Sequence, residues 1–148
     1  MWGKGENQPQ RPQRTPRHPE MHTNKITGEI VDAAIKVHTA VGPGLLESAY
    51  ESCLCAELCR RDLRVQRQVG LPVVYEGERL DLGYRLDLLV EDEVIVEIKA
   101  VSVLAGIHRA QMLSYLRLSG RRIGIILNFN VVRMREGIVR LVDRLDEP

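Results

Sequence analysis

Aromatic side chains are scarce in this chain of 148 residues: one Trp, one Phe and four Tyr, 4% in all. A core must therefore be built from Leu, Val and Ile, and a surface that grips single strands by stacking bases on rings has little to draw on. Cysteine is equally rare. Cys53, Cys55 and Cys59 fall in one short stretch with no partner elsewhere, which argues against a disulfide framework and fits a reducing compartment. Cys55 and Cys59 stand one helical turn apart, a spacing open to a metal. No further Cys joins them, and small packed thiols account for them better. No apolar run is long enough to span a bilayer, and the N-terminus lacks the apolar stretch of a secretory signal. The cytoplasm is the expected location, with no membrane partner. A charge excess of one sign is missing too. The formal net charge is +1, so a site for a polyanion has to be a local cluster.

What is present describes an ordinary globular protein, with 44% apolar and 28% charged residues and a length suited to one domain. Residues 1–21 hold Pro9, Pro12, Pro16 and Pro19 among Gln, Arg and Gly. They read as a disordered Pro/Arg-rich tail, which leaves 22–148 as the domain. A first helix is expected from an N-cap at Thr23 or Asn24, its apolar stripe Ile26, Ile30, Ala33, Ala34, Val37 and Val41. It stops at Gly42-Pro43-Gly44. A second helix is expected from about Leu45 to Arg61, with Leu46, Ala49, Cys53 and Ala56 facing inward and Arg60 a candidate for the same face. Alternating strands follow over 63–75, 80–90 and 94–100. A helix at 106–118 and a buried strand at 123–129 come next. A last hairpin is expected from 131–135 and 138–142, turning at Glu136-Gly137. The order α-α-β-β-β-α-β-β implies an α/β fold, a central mixed β-sheet flanked by helices.

The chemistry concentrates in Gly83-Tyr-Arg-Leu-Asp87-Leu-Leu-Val-Glu-Asp-Glu-Val-Ile-Val-Glu97-Ile-Lys99. If Glu91, Asp92 and Glu93 form the turn, Val90 faces Val94. Asp87 then lies opposite Glu97, at about 5 Å between Cβ atoms. Lys99 is two residues further on the same face, roughly 7 Å away. A two-residue turn would put the carboxylates on opposite faces. Two carboxylates can hold a hard cation such as Mg²⁺, with the Ile98 carbonyl as a third oxygen. Lys99 could orient a water or stabilise charge on a phosphate. The plain alternative is a solvated face with cross-strand ion pairs. Against it, the strand around Glu97 is apolar at most positions, and charges in a strand buried on both faces need a reason. His108, Gln111 and Tyr115 share one face of the following helix. Gln111 and Tyr115 can hydrogen-bond a phosphate or a water, whereas His108 reads as a polar flank on the sheet edge.

These residues resemble the PD-(D/E)XK nuclease superfamily. Within it they are similar to small proteins named for a Gly-x-x-Glu-x-x-Tyr motif, here Gly44-Leu-Leu-Glu47-Ser-Ala-Tyr50. Asp81-Leu-Gly-Tyr-Arg-Leu-Asp87, Val96-Glu97-Ile-Lys99, His108-Arg-Ala-Gln111-Met-Leu-Ser-Tyr115 and Asn128-Phe-Asn130 match as well. The resemblance implies a restriction-endonuclease-like core, Asp87 and Glu97 as metal ligands, Lys99 as the catalytic lysine and Glu47 as an additional acid near the metal. Gln111-x3-Tyr115 is similar to the motif that follows the lysine in the RecB-like branch. Tyr50 is expected to pack.

Two functions of different kinds follow. One is a Mg²⁺-dependent nuclease, with Mn²⁺ able to substitute, acting on DNA. The other is a catalytically silent nucleic-acid-binding or assembly module that keeps the fold. Hydrolysis of RNA or a small nucleotide is a third, weaker reading. Arg60, Arg61, Arg64, Arg67, Arg117, Arg121 and Arg122 are candidates to track a phosphate backbone. A homodimer through a sheet edge is also open.

Overall fold

The computed structural model describes residues 19–144. Helix α1 runs over Pro19–Val41 and α2 over Glu47–Arg60. Thr23 and Asn24 are therefore interior to α1 rather than its cap. The last three residues of the expected tail are helical, and 1–18 lie outside the described residues. The stripe Ile26, Ile30, Ala33, Ala34 and Val37 is buried as its spacing requires. On α2 the expected inner face is displaced. Tyr50, Glu51, Leu54, Glu57 and Leu58 point inward, while Leu46 is 77% exposed. Tyr50, Leu54 and Leu58, spaced i, i+4 and i+8, set this face and are fully buried. Glu51 and Glu57 flank the stripe, and Arg67 and Arg61 meet them there.

Seven strands follow: β1 Val65–Gly70, β2 Val73–Tyr75, β3 Glu78–Leu80, β4 Arg85–Val90, β5 Val94–Lys99, β6 Ile123–Asn128 and β7 Ile138–Val142, with α3 Gly106–Ser119 between β5 and β6. The two long strands expected over 63–75 and 80–90 each divide. Their outer halves make a separate hairpin, β2-β3, whose two-residue turn has Glu76 at φ 52 and Gly77 at φ 80, the left-handed pair such turns require. Gly83 at φ 81 makes the second break. The main sheet has the order β1-β4-β5-β6-β7. Among the described residues its one parallel pair is β5 with β6, joined by α3 as a crossover. The final hairpin is not formed. Met134–Gly137 is a turn of 3-10 helix, and β7 pairs with β6 instead.

Strand β5 is the heart of the molecule, buried at five successive positions. Val94, Val96 and Ile98 join the cluster under α1 and α2. Ile95 joins Met112, Tyr115 and Leu116 of α3 on the other side. Gly124 of β6 lets α3 approach the sheet, because a Cβ there would collide with the Met112 side chain. Among the described residues no helix is long and apolar enough to cross a membrane.

Candidate active site

The β4-β5 pairing fixes the site. Leu88 faces Val96, Leu89 faces Ile95 and Val90 faces Val94, the register expected from a three-residue loop. The loop achieves it without glycine, by placing Glu91 and Asp92 at φ 54 and 57. Arg64 N–H donates to the Glu91 carboxylate at 2.7 Å, which helps hold that strained corner.

Ladder pairing stops at Leu88 and Val96. Beyond it the strands are joined by side chains instead. Ile98 N–H donates to Asp87 Oδ2 at 2.8 Å, and Asp87 N–H donates to Glu97 Oε1 at 3.2 Å. Each carboxylate thus replaces a backbone acceptor, and both are pinned where the strands part. Ile98 turns its amide toward Asp87, so in extended backbone its carbonyl points to the same gap.

Glu97 is 5% exposed. Its burial, reinforced by the negative charge of Asp87, pushes its carboxyl up to about 8. Asp87 is raised as well, chiefly by burial, and the Ile98 amide and Lys99 only partly offset this. Two crowded carboxylates in a low-dielectric setting disfavour their own ionisation.

Lys99 continues the strand. Its Nζ donates to Gln111 Oε1 at 3.2 Å, and Gln111 Nε2 donates to Tyr115 Oη at 3.0 Å. The spacing of Gln111 and Tyr115 on α3 is what allows this chain. Tyr115 is itself shifted upward, first by burial and then by Glu97. The β5 end is anchored from β6. Phe129 N–H bonds the Lys99 carbonyl at 2.9 Å, and Asn128 bonds both backbone groups of Val101. Lys99, Gln111 and Tyr115 line a cavity of about 500 Å³ together with Tyr84, Ile107 and Leu118.

Glu47 lies at the start of α2. Its Oε2 accepts from Ala100 N–H at 3.3 Å, and its charge adds to the upward shift of Asp87. His108 is spent on its own helix, its Nδ1 accepting from Ala105 N–H at 2.9 Å. Tyr50 packs, fully buried and stacked on Phe129 at 4.4 Å between centroids.

Two residues of the site escaped the sequence reading. Gln68 of β1 lies between the pairs Arg67–Leu88 and Val69–Leu86, unpaired in the ladder and twisted to φ 52. Its amide donates to Glu51 Oε1 at 2.8 Å and reaches Asp87 Oδ1 at 3.5 Å. Glu51 also accepts from Arg67 at 3.1 Å. A signal for Glu51 existed, since it follows Glu47 by one helical turn.

The arginines depart from expectation. Arg67 is tied to Glu51, Arg61 to Glu29 and Glu57, Arg64 to Glu91 and Arg121 to Asp92. Their charges are largely used within the fold rather than held out as a track for phosphates. The three cysteines are free thiols, Cys59 exposed.

The oxygen-only donor set of Asp87, Glu97 and the Ile98 carbonyl suits a hard divalent cation. Among the described residues no three His, Cys, Asp or Glu side chains stand together as a metal cage.

A mixed sheet flanked by helices, with an acid pair and a lysine where two strands diverge, defines a restriction-endonuclease-like α/β fold. The chain belongs to the PD-(D/E)XK nuclease superfamily, whose family model matches residues 24–141. Members generally hydrolyse phosphodiester bonds and typically use divalent metals. No curated protein and no solved structure matched the chain.

Proposed function

We propose that this protein is a Mg²⁺-dependent phosphodiesterase that cleaves DNA in the cytoplasm. The observation that carries the reading is the pinning of Asp87 and Glu97 against each other's strand, with Lys99 held beside them by Gln111. Two buried acids whose carboxyls are both shifted upward, Glu97 by burial and by Asp87, and Asp87 chiefly by burial, are costly to the fold, and a bound cation would offset that cost.

Asp87, Glu97 and the Ile98 carbonyl would hold the cation, with Glu47 near enough to act through water. A divalent cation there supplies charge against the phosphoryl oxygen and lowers the pKa of a water. Lys99 places an ammonium group against the phosphate, where negative charge develops as water adds to phosphorus and the P–O bond to the leaving oxygen breaks. Gln111 orients Lys99, and Tyr115 orients Gln111.

The test is cleavage of linear, nicked, branched and single-stranded DNA in Mg²⁺ or Mn²⁺. Asp87→Ala, Glu97→Ala and Lys99→Ala should each remove cleavage, by about 10²-fold or more, with folding intact by circular dichroism. Glu47→Ala should weaken it. Equal cleavage by wild type and Lys99→Ala would sink the proposal.

A further inference from the structure

We propose that the cavity beside Lys99 receives an unpaired nucleobase, so that the protein selects single-stranded or frayed nucleic acid over continuous duplex. This rests on the phosphodiesterase reading above and adds a substrate class to it.

Aromatic residues are few in the chain, but their placement is concentrated. Two of the four tyrosines, Tyr84 and Tyr115, line this cavity with ring centroids 6.4 Å apart and tilted by 59°. Tyr115 is buried, with its hydroxyl held by Gln111. Tyr84 stands 48% exposed. It is presented by the turn at Gly83, and its carbonyl is fixed by Leu71 N–H at 2.8 Å. Ile107, 72% exposed, and Leu118 extend the apolar lining. Holding such surface open to water is unfavourable.

The chemistry of the lining selects the occupant. The volume of about 500 Å³ is within the roughly 300–1,000 Å³ of small-molecule sites. Aromatic and aliphatic side chains suit a flat heterocycle. Ser114 and Gln111 offer hydrogen bonds to its edge. Lys99, in the same cavity, offers a cation to the phosphate attached to it. An apolar side chain of a partner protein would satisfy the rings but leave the lysine unused. A paired base keeps both faces stacked inside its helix and would have to be extruded before entering.

Fluorescence anisotropy with a labelled oligothymidylate and with a blunt duplex, both in Ca²⁺, reads the subsite without reference to cleavage. Wild type should bind the single strand about tenfold or more tightly than the duplex. Tyr84→Ala should lose about tenfold on the single strand and little on the duplex, and Tyr84→Phe, which keeps the ring, should stay close to wild type. Equal affinity for both nucleic acids would overturn the subsite. So would an unchanged Tyr84→Ala, or no binding to either, as a protein-docking rim would give. The parent reading fails separately. Selective single-strand binding without Lys99-dependent cleavage in Mg²⁺ would leave the subsite and remove the phosphodiesterase. Such cleavage with equal affinity for both nucleic acids would do the reverse.

Discussion

Glu97 is the residue at which a proton and the proposed cation would compete. Its carboxyl is held up at about 8, above its ordinary value, so the folded protein prefers it protonated. Its contribution to stability is fully present below the ordinary carboxylate range and is lost as pH rises through about 8, where the ionised pair repels itself. A divalent cation needs the ionised form. The rise in Tm on adding Mg²⁺ should therefore be larger at pH ~8.5 than at pH ~6.5. At a hundredfold excess over Kd it should correspond to about 2.7 kcal/mol. Differential scanning fluorimetry against EDTA reads this, and Asp87→Ala should abolish the shift. The positions of Asp87, Glu97 and Lys99 were legible in the sequence because a three-residue loop and a period of two settle the register between them. Gln68 was not. Its left-handed backbone breaks the alternation from which its strand was read, and it is held by Glu51 of a different element.

Elements show the same division. Helix α2 is preceded by Gly42-Pro43-Gly44, which the sequence marks plainly, and its inward face is the stripe Tyr50, Leu54 and Leu58. Tyr50 does more than pack. Its hydroxyl donates to the Gly42 carbonyl at 2.5 Å and accepts from Leu45 N–H at 3.1 Å, tying the α1-α2 turn to the core while its ring stacks on Phe129. Tyr50→Phe should cost about 1 kcal/mol by loss of those bonds, and Tyr50→Ala about 3–5 kcal/mol because a buried cavity is added. Urea unfolding separates the two. Comparable losses would mean that the ring contributes little. Strands β4, β5 and β6 and helix α3 were legible from periodicity and from Gly120, which adopts the left-handed conformation at φ 73 that ends α3. The hairpin expected from 131–142 was not, because β6 offers a strand edge to β7, and five ladder positions outweigh a local turn.

At the scale of the whole molecule, charge is spent internally. Glu57, buried on α2, accepts from Arg61 at 3.0 Å and from Lys36 at 3.2 Å, and Arg61 reaches on to Glu29. The Arg61 hydrogen bond, aided by Lys36, holds the Glu57 carboxyl below its usual range. A lowered carboxylate pKa contributes stability above the ordinary value, and that contribution disappears as pH falls through the folded one. Glu57→Gln should therefore unfold at a lower temperature than wild type at neutral pH, and the gap should close in acid below the ordinary carboxylate range. A gap independent of pH would assign the effect to packing instead.

The sequence by itself determined the local matters: which residues are apolar at which period, where Gly and Pro stop a helix, and hence that Asp87, Glu97 and Lys99 fall in register. These depend on neighbours a few residues apart. Only the tertiary structure decided that the ladder opens at the acid pair, that Gln111 steadies Lys99, that Arg61, Arg64, Arg67 and Arg121 point to carboxylates, and that two scarce tyrosines share one cavity. Those outcomes depend on which distant side chains can offset the desolvation of a charge or fill a space, and the linear spacing of residues carries no record of either.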